Sequence, residues 1–65
     1  MNQTAYLISD KALSIYYEAR QDHQKIPLSV RWLKRSLEWA KQKHCFDLAD
    51  ELNAYITGLV ALQEA

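Results

Sequence analysis

One proline, at position 27, and one glycine, at position 58, are the only residues of their kinds in a chain of 65, so strong backbone breakers are nearly absent. Val, Ile and Thr never alternate with polar residues over a strand's length, whereas apolar residues recur three or four positions apart over most of the chain. That spacing is one face of an α-helix. The expected fold class is all-α: one small domain of three helices over about 9–24, 29–43 and 47–62, with the last two as an antiparallel hairpin.

Ser9 is the expected N-cap of the first helix, with Ile8 and Leu13 placed as a hydrophobic staple. Ile8, Ala12, Ile15, Ala19 and His23 then share a face that Leu13 and Tyr16 widen. Lys25-Ile26-Pro27-Leu28 is expected to end this helix, because the proline ring disfavours helical geometry at Ile26 and removes a donor. Ser29 restarts it as a second N-cap, with Leu28 and Leu33 repeating the staple spacing. On the second helix Val30, Leu33, Leu37, Ala40 and His44 form one stripe, flanked by Trp32 and Trp39.

The third helix follows from about Asp47, an N-cap candidate. Its seam is Leu48, Leu52, Tyr55, Leu59 and Leu62, in four-three-four-three spacing, supported by Ala49 and Ile56. No Pro or Gly separates this helix from the second, so the alternative is a short helix followed by one long coiled-coil helix. A turn at 44–46 is favoured, because His44, Cys45, Phe46 and Asp47 are four consecutive poor helix formers. Cations at 41, 43 and 44 followed by acids at 47, 50 and 51 also match a helix C-terminus meeting a helix N-terminus.

A chain this short buries only about 60% of the surface its unfolded form exposes. It has one cysteine and two histidines, too few for an internal disulfide or a closed structural zinc site, so oligomerisation is the remaining device for added stability. A homo-oligomer is expected. Ala54, Gly58 and Ala61 on the third helix are small enough to admit another backbone, which makes Tyr55, Gly58, Leu59 and Leu62 the candidate oligomer interface. Met1-Asn2-Gln3-Thr4 has no basic start and no apolar core follows it, and no apolar run approaches a membrane span. A cytoplasmic, reducing setting without membrane association is the expectation.

Formal net charge is zero, yet residues 31–43 carry five cations against one acid, and residues 47–65 carry four acids with no Lys or Arg. Helix-end electrostatics explains Lys41, Lys43, Asp47, Asp50 and Glu51. It does not explain Arg31, Lys34 and Arg35, which stand near a helix N-terminus where acids are preferred. Arginine offers a planar fork to carboxylate or phosphate, and tryptophan adds large rigid contact area. Arg31, Trp32, Lys34, Arg35 and Trp39 are therefore the candidate partner-binding residues, facing a protein with an acidic surface. The competing account is a solvated helix face with intrahelical Lys34–Glu38 and Glu38–Lys41 contacts.

Ile26-Pro27-Leu28-Ser29-Val30-Arg31-Trp32-Leu33-Lys34-Arg35 resembles the turn and recognition-helix start of helix-turn-helix proteins. The resemblance covers about ten residues and departs from the pattern where His23 and Pro27 replace the usual small residue and turn glycine. It implies nucleic acid as an alternative partner, with Ser29 and Lys34 on phosphates and Arg31 and Arg35 reaching base edges.

His44-Cys45-x-Asp47 is the one cluster with nucleophile chemistry, but sequence neighbours rarely face each other and its spacing matches no zinc pattern. Cys45 reads as a small buried hydrophobe and His44 as a C-terminal cap. No catalytic residue, metal or cofactor is expected. The expected use is a small regulatory interaction module, an adaptor, inhibitor or assembly factor, with a helix-turn-helix-like regulator as the alternative.

Overall fold

The computed structural model describes residues 2–65, and three α-helices account for nearly all of them: α1 (Gln3–Gln21), α2 (Ile26–Gln42) and α3 (Phe46–Glu64). A single turn of 3-10 helix, His23–Lys25, joins α1 to α2. The molecule is elongated, 35 × 17 × 15 Å. One core runs through it, in which Ile26, Leu33, Leu52 and Leu59 are the largest fully buried side chains. Each contributes roughly 1.5–3 kcal/mol relative to exposure.

α1 begins six residues before Ser9. Asn2 is its cap, accepting from the Thr4 N–H at 2.9 Å through its side chain and from the Tyr6 N–H at 3.1 Å through its carbonyl. The added residues, nearly two turns, pack Ala5 and Ile8 against the core, which is why the helix does not wait for the second capping residue. The face toward the core is small: Ala12 and Ala19 have no exposed surface, and with Ala5 they repeat every seven residues. His23, expected on this face, is exposed beyond the helix end.

The α1–α2 junction also differs from expectation. Asp22 ends α1, its N–H donating to the Glu18 carbonyl at 3.0 Å while its side chain accepts from the Gln24 N–H at 3.2 Å. Ile26 and Pro27 then belong to the first turn of α2, and Ser29 is inside the helix, not its cap. Proline is harmless there because first-turn N–H groups have no intrahelical acceptor. Ile26 is helical, φ −57° and ψ −48°, despite preceding proline. Its complete burial outweighs the local preference for extended backbone.

α2 buries Ile26, Leu33, Leu37 and Ala40 and packs Val30, Trp32 and Trp39 partly against the core. The expected stripe stops before His44 because the helix has already ended. Lys43 closes it and His44 adopts φ 58°. The Cys45 N–H then donates to the Ala40 carbonyl at 2.9 Å and the His44 N–H to the Lys41 carbonyl at 3.2 Å. These two bonds make a Schellman termination, with histidine where glycine is usual.

α3 starts at Phe46 with Cys45 at the cap position and no side-chain cap, so Asp47 lies in its first turn and is not the cap. The separate α2 and α3 replace the single long helix over 29–62 considered from spacing. α3 buries Leu48, Ala49, Leu52 and Leu59, and its most extensive packing is with α2, followed by α1. Ser9 bonds to Glu51 and Tyr16 meets Gly58, so both pairs keep the same sequence offset. α1 and α3 therefore run in the same direction.

Candidate functional site

Two surfaces carry exposed chemistry. The first is the outer side of α2. Arg31, Lys34 and Arg35 are exposed and Trp32 and Trp39 are half-buried, so the helix brings together all five residues expected to bind a partner. Leu28, 69% exposed, extends the row: Leu28, Trp32, Arg35 and Trp39 follow four-three-four spacing, with Arg31 beside them. That is a second helical face, rotated from the core stripe. Both indoles are partly buried against the core.

Among the described residues the only ion pair is Lys41–Glu38, at 3.9 Å between two exposed side chains. The Glu38–Lys41 contact of the solvated-face account is thus present, but Lys34–Glu38 is not. Arg31, Lys34 and Arg35 sit without a carboxylate in ion-pair range, and because α2 begins at Ile26 they stand around its middle, beyond the first turn in which the helix dipole acts. Ser29, given a phosphate contact by the helix-turn-helix resemblance, is half-buried within α2. It does not cap the helix as that arrangement requires.

The residues expected at an oligomer interface are engaged inside the chain. Leu59 is fully buried. Tyr55 stacks on Tyr16 with ring centroids 4.9 Å apart and planes at 26°. Gly58 faces the same Tyr16 ring so closely that a Cβ there would lie 3.2 Å from Tyr16 Oη. Leu62 is half-buried and packs on the core. The small residue admits α1 of the same molecule.

The second surface went unforeseen. A cleft of about 370 Å³ opens between the first turns of α1 and the α2–α3 turn, lined in part by Tyr6, Phe46, Asp47 and Glu51. At its inner edge Glu51 is held from two sides: Ser9 Oγ donates to Oε1 and Tyr55 Oη donates to Oε2, each at 2.7 Å. Burial foremost, then the hydrogen bond to Glu51 and its charge, with smaller effects of Tyr17 and Tyr16, push the Tyr55 hydroxyl up to about 12. Tyr55 therefore stays a donor through the physiological range. The i, i+4 spacing of Glu51 and Tyr55 was a readable hint, but Ser9 is 42 residues from Glu51 and nothing local pairs them. Arg20 completes the aromatic cluster, 5.6 Å above the Tyr16 ring.

His44, Cys45 and Asp47 border this cleft without forming a nucleophile–base pair. The His44 ring stands edge-on to Phe46 at 5.8 Å, and the Cys45 thiol faces the Lys43 carbonyl at 3.8 Å. Among the described residues no group of three His, Cys, Asp or Glu side chains is arranged to hold a metal ion, and no helix is long and apolar enough to cross a membrane. Comparison with known protein families, with curated proteins and with solved structures finds no match.

Proposed function

We propose that this protein is a small protein–protein interaction module of the cell interior, an adaptor, inhibitor or assembly factor, whose working surface is the outer face of α2. The observation that carries the reading is the cluster of Arg31, Lys34 and Arg35, which lacks ion-pair partners among the described residues and is interleaved with half-exposed Trp32 and Trp39. Desolvated arginine forks beside aromatic area are the usual anchors of protein interfaces, and the missing counter-charges call for an acidic surface on the partner. In this reading α2 and α3 form an antiparallel hairpin, supported by the common direction of α1 and α3, and the hairpin serves as a rigid platform.

The test is affinity capture from the native cell. Replacing Arg31, Lys34 and Arg35 together by Glu should abolish recovery of the partner while helicity and melting stay near wild type, because all three side chains are exposed. Unchanged recovery would remove α2 from the contact. A partner lost on nuclease treatment, with binding that falls steeply with salt, would point to nucleic acid instead.

A further inference from the structure

The cleft and the outer face of α2 are opposite in charge and alike in aromatic content. Tyr6 and Phe46, 58% and 62% exposed, give the cleft its apolar wall, and Asp47 and Glu51 give it carboxylates. None of its lining residues is Lys or Arg, no Lys or Arg occurs from 44 to 65, and Asp10 is the only charged residue among the first ten. An aromatic wall with carboxylates fits a guanidinium on an apolar stem, which stacks on ring faces and forks onto carboxylate oxygens. The outer face of α2 presents that chemistry in Arg31 and Arg35, beside Trp32 and Leu28.

Within one molecule the two surfaces lie apart. Arg31 lies eleven positions before the last residue of α2, about 16 Å along a helix of 1.5 Å rise, while the cleft begins beyond that far end. We infer that the occupant of the cleft is a second copy of this chain, which sets Arg31 and Arg35 of its α2 against Tyr6, Phe46 and Asp47. The inference rests on the proposed use of α2 as a contact surface and names the partner of that surface. Two different patches meet, so a lesion in one patch leaves the other patch of the same molecule competent.

Light scattering and sedimentation of the full chain over a range of concentration test this. At low salt the mass should rise above the 7.6 kDa monomer with concentration, and it should return to monomer at about 0.5 M salt, where exposed charges are screened within a few Å. Arg31→Glu with Arg35→Glu, and separately Phe46→Ser with Asp47→Lys, should each weaken self-association by roughly tenfold or more. An equimolar mixture of the two variants should associate again, as a 1:1 dimer, since each supplies the patch the other lacks. A wild type that stays monomeric at low salt overturns the inference while leaving α2 free to bind a different acidic protein. Association that survives either lesion, or fails to return on mixing, overturns it as well. All four positions are exposed, so circular dichroism verifies the fold, and the wild-type salt series stands without any variant.

Discussion

Replacing His44 by glycine and by alanine separates the backbone's demand at the α2–α3 turn from that of the side chain. At φ 58° an L-residue brings its Cβ close to the following carbonyl, at a cost of roughly 1–2 kcal/mol that glycine does not incur. Glycine loses about 0.5–1 kcal/mol of that advantage through its greater freedom in the unfolded chain. The His44→Gly variant should therefore exceed His44→Ala by about 0.5–1 kcal/mol, or roughly 3–6 °C in melting temperature for a domain of this size. Both variants lose the edge-on contact with Phe46, so that term cancels. At Ser14, exposed in the middle of α1, the order should invert, with glycine about 0.8–1.0 kcal/mol below alanine. Urea and thermal melts of the four variants supply the measurement. If glycine is the worse residue at both positions, the turn does not hold a left-handed residue at 44 and the termination described for α2 is wrong.

Tyr55 makes a pH prediction with a definite sign. Its folded value, about 12, lies above the ordinary 10.0, so the folded protein holds this proton more tightly and stability should fall as pH rises from 10 toward 12. Urea melts at both ends of that window should show the loss in wild type and a smaller one in Tyr55→Phe; equal losses would refute the assignment to Tyr55. Gly58→Leu should destabilise by about 1–3 kcal/mol, because a Cβ already meets Tyr16 Cε1 at 3.3 Å and a longer side chain has to displace the ring. An unchanged chemical denaturation midpoint would show that α1 does not pack there.

The helical character of this chain, the apolar stripe Val30, Leu33, Leu37 and Ala40, the heptad from Leu48 to Leu59 and the break near His44 were all legible in residue order. Helical periodicity and poor helix formers act within a turn or two of the chain, so a local reading captures them. The basic tryptophan face of α2 was legible for the same reason, since one helix sets all its members side by side. Tertiary structure decided the rest. Asn2 and Ser9 are both competent caps, and the choice went to Asn2 because the added residues give Ala5 and Ile8 a core to pack against. Pro27 disfavours helix at Ile26, and the burial of Ile26 overrides it. Gly58 admits a neighbour, but only the fold shows that the neighbour is Tyr16. Glu51 takes one of its two donors, Ser9, from 42 positions away, and the cleft takes its facing walls from opposite ends of the chain. The energy that selects such contacts comes from surfaces that exist only after the helices have met.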